Sequence, residues 1–182
     1  MKSRIQLLLA MALAAGCAST PKISYFTLAM EPSGSSQPTQ NVVVEQVRAT
    51  DALNRREILI QASSTRIEYY ATDHWVGGLA DLVRQKLSAE FGPGVDGRPT
   101  LKLSATVLAC QQVDVPGGAE AQMRLAVTVR TAAGKRYQAP LLEKTYEASR
   151  RAGRPSAGSV VEALSACAEE IASSIAVDVS TL

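Results

Sequence analysis

Between Gln122 and Arg130 the chain changes character at almost every residue. Met123, Leu125, Val127 and Val129 are apolar, Gln122, Arg124, Thr128 and Arg130 are polar, and Ala126 is small. A period of two places one face in a core and the other in water, which predicts a strand. A longer strand precedes it, with Leu101, Leu103, Ala105, Val107 and Ala109 alternating with Lys102, Ser104, Thr106 and Leu108. Turn residues bound the pair: Val95-Asp96-Gly97-Arg98-Pro99 before, Pro116-Gly117-Gly118 between, and Ala133-Gly134-Lys135 after. Leu141 to Ser149 continues as a third strand and ends in the polar Arg150 to Pro155 loop.

The first half carries shorter pieces of the same kind. Ser24 to Met30 is rich in residues that suit a pleated surface, and the Pro-, Ser- and Gly-rich stretch Glu31 to Gln40 reads as a polar loop. In Asn41 to Arg48, Val43 and Val47 flank Glu45 on one face, with Val42 and Val44 on the other. Asp51 to Arg56 is a polar connection. Glu57 to Ala62 and Arg66 to Tyr70 then form a hairpin across Ser63-Ser64-Thr65.

Two stretches switch to a helical period. Trp75, Leu79, Leu82, Val83, Leu87 and Phe91 form one stripe, with Asp81, Arg84, Gln85 and Lys86 off it, and Gly92-Pro93-Gly94 stops the helix. Gly77 and Gly78 each cost about 1 kcal/mol relative to Ala inside a helix, which moves its start toward Leu79. The last helix opens at Ser159-Val160-Val161-Glu162, a capping-box pattern, and buries Val161, Leu164, Ala168, Ile171, Ala172 and Ile175. The order β-β-β-β-α-β-β-β-α predicts an α+β fold, an antiparallel sheet with two helices packed on one face.

Ahead of all this stands a different pattern. Lys2 and Arg4 precede an apolar run from Ile5 to Ala15, shorter than the ~20 residues that a spanning helix needs. Residues 1–16 therefore read as a signal peptide and 17–182 as a single periplasmic domain. The run closes on Met11-Ala12-Leu13-Ala14-Ala15-Gly16-Cys17, which resembles a lipobox with Cys17 as the lipidated residue, although Ala14 stands where Leu is usual. An ordinary secretory signal that happens to end beside a cysteine is the other reading.

Charge changes the picture little. The chain has 19 basic and 17 acidic residues, and loss of Lys2 and Arg4 leaves the mature part formally neutral. A nucleic-acid surface would need clustered Lys and Arg, so that partner class is excluded. Cys110 and Cys167 would remain once Cys17 is acylated, and two readings stay open for them: a disulfide tying helix to sheet, or two separately buried thiols. No CxxC spacing supports a metal site, and no cofactor is expected.

Catalytic patterns are equally thin. His74 is the one histidine, placed just before Trp75 at a helix entrance, and Ser63, Ser64 and Ser104 stand in no strand-turn-helix elbow. Asp51, Glu57, Glu68, Asp73 and Asp81 are scattered through polar positions. Gly92-Pro93-Gly94 follows a helix rather than opening one, so it makes no phosphate loop. With aromatics at 4% of residues there is no sugar-binding cleft to expect, and no catalytic residue is assigned. Tyr25, Phe26, Tyr69, Tyr70 and Trp75 are the candidates for contact with a partner or lipid, core packing being the alternative.

The lipobox at Cys17, Tyr25-Phe26-Thr27-Leu28, Leu53-Asn54-Arg55-Arg56-Glu57-Ile58, the Trp75 helix, the long strand pair and the terminal Ala-rich helix together resemble the auxiliary lipoproteins of ABC-type transport systems, a family that includes PqiC. The resemblance implies a non-catalytic, acyl-anchored component of a lipid-transport system. Its implied partners are an MCE-domain protein and, through it, an inner-membrane ABC transporter, with self-association into a ring left open. Ala18 stands where inner-membrane lipoproteins commonly carry aspartate, so the resemblance implies the outer membrane, facing the periplasm. A structural or assembly lipoprotein serving an outer-membrane protein or a lipopolysaccharide machine is the alternative.

Overall fold

The computed structural model describes residues 21–29, 31–32, 40–92, 97, 99–134 and 138–182. Cys17, the signal segment and most of the polar loop at 31–40 lie outside the described residues. Among the described residues seven strands run in the order β1 (Ser24–Phe26), β2 (Asn41–Ala49), β3 (Glu57–Gln61), β4 (Ile67–Trp75), β5 (Thr100–Val115), β6 (Gly118–Thr131) and β7 (Leu142–Ala152). Helix α1 (Leu79–Phe91) follows β4, α2 (Ala157–Ser180) follows β7, and a single 3-10 turn occupies Asp51–Leu53. The fold is α+β in the expected element order.

The sheet is mixed rather than purely antiparallel. Its path is β1-β4-β3-β5-β6-β7, with β2 also on β5, and the pairs β1/β4, β2/β5 and β3/β5 are parallel. Alternation gives a strand its faces but not its direction. A parallel pair needs a long crossover, and the stretch from β4 through α1 supplies it for β5. Strands β2 and β3 share one flank of β5: β2 lies along Thr100–Val107 and β3 along Gln111–Val113. Between them Thr50–Arg56 leaves the sheet as a largely polar excursion, pinned by Leu53, which is buried in the core.

Of the three register shifts in the sheet among the described residues, one lies between β3 and β4, and the other two re-aim side chains in β2 and β5. In β2 the register slips between Val44 and Gln46, so Val42 and Val44 share their face with Val47 and Ala49, not with Glu45's other neighbours. The expected grouping of Val43 with Val47 fails for that reason. In β5 the slip between Val107 and Ala109 ends the run of odd inward residues, and Cys110 and Gln112 face Met123 and Ala121 from there on. The β5–β6 hairpin turns on Pro116-Gly117, where Gly117 has φ 79° and supplies the left-handed conformation that a two-residue turn requires.

Both helices touch each other and cover the same face of the sheet, α2 over β6 and β7 and α1 beside β2. Their buried residues join those of the strands in one core that includes Leu103, Leu125, Leu164, Ile171 and Ile175. Helix α1 starts at Leu79 behind an uncapped Gly78, so Trp75 is the last residue of β4 and not the first of a helix. Lys86, expected on the polar side, is buried and donates to the Glu31 carbonyl. Helix α2 begins before the expected capping box: Ser156 is the cap, its hydroxyl accepting from the Ser159 amide at 3.4 Å.

Among the described residues no helix covers the opposite face of the sheet. That face carries a polar ladder across four strands, in which Gln111 donates to Gln61 at 2.5 Å and Gln122 to Glu147 at 3.1 Å. Among the described residues no helix is long and apolar enough to cross a membrane.

Candidate functional site

The site grows from the pairing of β1 with β4. Tyr25 lies beside His74 and Phe26 beside Trp75, so the pleat sends one pair each way. Phe26 and Trp75 turn inward: Trp75 is 1% exposed and Phe26 packs against the core. Trp75 therefore has no surface to offer a partner in this fold. Tyr25 turns outward at 57% exposure and meets the His74 ring edge-on, centroids 6.1 Å apart.

The next links come from β3 and the extruded turn. Glu57 pairs with His74 across β3–β4. Arg55 sends one guanidinium nitrogen to within 3.4 Å of the Glu57 carboxylate while its carbon lies 4.4 Å from the centre of the Tyr69 ring. Tyr69 in turn donates its hydroxyl to the Ala52 carbonyl at 3.0 Å, fastening the excursion to the sheet. Tyr25, His74, Glu57, Arg55 and Tyr69 thus form one surface chain of aromatic and charged groups. The Glu57 carboxyl is held below its ordinary range, first by its own backbone amide and then by Arg55 and His74, so it stays ionised.

Tyr70 belongs elsewhere. Its hydroxyl donates to Gln112 at 2.5 Å, and Gln112 donates to Asp114 at 2.6 Å. The β5 bulge turned Gln112 inward, and this relay satisfies its amide. Burial, then the nearby Asp73 and Asp114, pushes the Tyr70 phenol upward.

Chemically the cluster can recognise, since a guanidinium on an aromatic face and an exposed tyrosine are contact groups. Among the described residues no hydrogen bond joins His74 to a hydroxyl or thiol, and no group of three or more His, Cys, Asp or Glu could hold a metal ion. A cavity of about 460 Å³ opens at the far end of the sheet between Glu45, Lys102, Arg130, Thr131 and Gln138. Its charges are already engaged: Lys102 meets Glu45 at 2.6 Å, and Arg130 donates to the Gln138 carbonyl.

Of the five expected contact residues, Tyr25 and Tyr69 fall in the cluster, while Phe26, Tyr70 and Trp75 do not. Arg55, Glu57 and His74 also stand in the cluster, and the sequence pattern does not mark them as contact residues. The run Leu53 to Ile58 held the signal, but only its fold links Arg55 to an aromatic two strands away in sequence. Cys110 and Cys167 are free thiols, both fully buried.

The pattern of the ABC-type transport auxiliary lipoprotein component matches residues 26–176. The chain belongs to this family. Its match begins inside β1 and ends within α2, so it takes in nearly every element described above. Among solved structures the chain is similar to an uncharacterized protein at 15% identity and TM-score 0.69, covering 87% of this chain and 99% of that one. It is also similar to protein XCC0632 from Xanthomonas campestris, of the DUF330 family, at 12% identity and TM-score 0.70, covering 84% and 92%. At such identities these two neighbours speak for the fold alone. No curated protein matches the chain.

Proposed function

We propose that this auxiliary lipoprotein is non-catalytic and acyl-anchored through Cys17, and that it holds the periplasmic end of an MCE-protein conduit at the outer membrane for an ABC-type lipid transporter. The observation that carries the reading is the part of the cluster formed by Arg55, Glu57 and Tyr69. These charged and aromatic groups reach the surface, Arg55 exposed and Glu57 and Tyr69 half-buried, and β1 starts seven residues after Cys17. Family membership supplies the transport context, and the lipobox resemblance supplies the anchor. Acyl chains contribute ~0.8 kcal/mol per buried CH₂, and two signals give stable membrane residence.

The test is crosslinking and co-purification of the full chain from its native envelope. An MCE-domain protein should be recovered with the wild type and depleted with Arg55→Ala or Tyr69→Ala, both judged folded by circular dichroism. Recovery of an outer-membrane barrel or a lipopolysaccharide-transport component instead would favour the assembly reading. Recovery of neither sinks the docking role.

A further inference from the structure

Exposed large apolar side chains are few in this fold, and three of them share one place. Ile23 is 43% exposed, Tyr25 57% and Val76 55%. Ile23 and Tyr25 are two apart on the approach to β1 and along it. Val76 is two past His74, the residue against which Tyr25 rests, and its amide bonds the Phe26 carbonyl at 2.8 Å. The ladder between β1 and β4 therefore continues through Val76, which keeps these side chains at one edge of the sheet. Lys22 lies exposed beside them.

Covalent reach fixes what this edge can meet. Ile23 lies six residues along the chain from Cys17, with five residues between them. Fully extended, those six steps span at most about 22 Å. The chain does not gain slack beyond Ile23, because β1 is paired, Leu28 is fully buried, and the Ala29 amide bonds the Ser165 hydroxyl on α2 at 3.1 Å. An anchor at Cys17 thus pulls on β1 itself. The other exposed large apolar residues lie apart from this edge: Val43 on β2, Ile67 at the opposite end of β4, Leu141 just before β7, Val177 on α2 and Leu182 after it.

We infer that Ile23, Tyr25 and Val76 form a membrane-contact edge that rests on the headgroup layer of the leaflet holding the anchor, an inference that relies on the acylation of Cys17 proposed above. Tyrosine suits this position because its ring takes the apolar side of the interface and its hydroxyl the wet side. Lys22 adds attraction to anionic headgroups. Docking there sets the orientation of the domain: β1 faces the bilayer, and β7, at the other end of the sheet path, is turned away from it.

Tryptophan probes on the full acylated chain test the inference. The native Trp75 is buried and serves as a subtractable background and a check of folding. Tyr25→Trp and Ile23→Trp report on the edge independently, so a folding defect in one leaves the other, and Val177→Trp on α2 is the distal control. Each variant is reconstituted into vesicles of phosphatidylethanolamine and phosphatidylglycerol containing brominated acyl chains. The expected result is a blue shift and loss of most emission at positions 25 and 23, with position 177 little affected. Equal or absent quenching at all three positions, in protein that carries the acyl mass and floats with the vesicles, overturns the inference and leaves the anchor standing. A chain without acyl mass on Cys17 overturns both.

Discussion

A thiol shut away from water is a poor acid, and Cys110 and Cys167 are both of this kind. Burial pushes Cys110 up to about 12, with Cys167 adding to it, and burial pushes Cys167 up to about 11. Both start from an ordinary value of 9.0. Their folded values lie above the unfolded one, so the stability they contribute is complete below pH 9 and declines as the pH climbs toward 11 and 12. We expect Cys110→Ala to make urea stability fall less steeply above pH 9 than the wild type. In a Cys17→Ser variant, both remaining thiols should resist maleimide at pH 8 until denaturant is added. Fast labelling of the native protein would refute the buried, protonated state. The aromatic residues teach the complementary lesson about what single positions disclose. Tyr25 and Phe26 are alike in sequence, yet pairing with β4 exposes one and packs the other inward, and composition says nothing about which.

At the level of elements, the clearest device is the fastening of α2 to the edge strand β7. Asp178 accepts from Lys144 and from the Tyr146 hydroxyl, each at 2.7 Å. A carboxylate near a helix C-terminus opposes the helix dipole, so this one is explained by what it holds rather than by the helix. The bonds from Lys144 and Tyr146 hold its carboxyl below the ordinary aspartate value of 3.8. The contribution is therefore present above that value and lost as the pH falls through the depressed one. Asp178→Ala should cost about 1 kcal/mol in denaturant titration at neutral pH. It should also speed hydrogen exchange in the last turns of α2, and unchanged exchange there would show that the fastening is idle. Element identities were largely legible, because the periods of two and 3.6 are strong in β5, β6, α1 and α2. The bulges were not: in β2 and β5 one unpaired residue regroups the faces, and no single residue type announces it. The same slip in β5 explains why Gln112 is buried.

For the whole molecule, the decisive relation is between the N-terminal segment and the rest. Strand directions could not be read from the pattern, so the parallel seat of β1 on β4 and the route that follows it were out of reach of the sequence. After β1 the chain crosses both helices. Leu28 is fully buried, the Ala29 amide bonds Ser165 on α2, and the Glu31 carbonyl accepts from Lys86 on α1. A segment that merely tethered the domain would tolerate any truncation of its side chains. This one is part of the core, so Leu28→Ala should destabilise by about 2–5 kcal/mol, the usual range for emptying a buried leucine site. Ser165→Ala, which removes one hydrogen bond, should cost only about 1 kcal/mol. Urea denaturation followed by circular dichroism measures both. If Leu28→Ala unfolds at the wild-type midpoint, the segment is a tether after all and force on the anchor would not reach the fold. If the large loss is found, the end of the chain nearest Cys17 and the helix-covered core are one cooperative unit. A pull at the membrane would then be borne by the whole sheet.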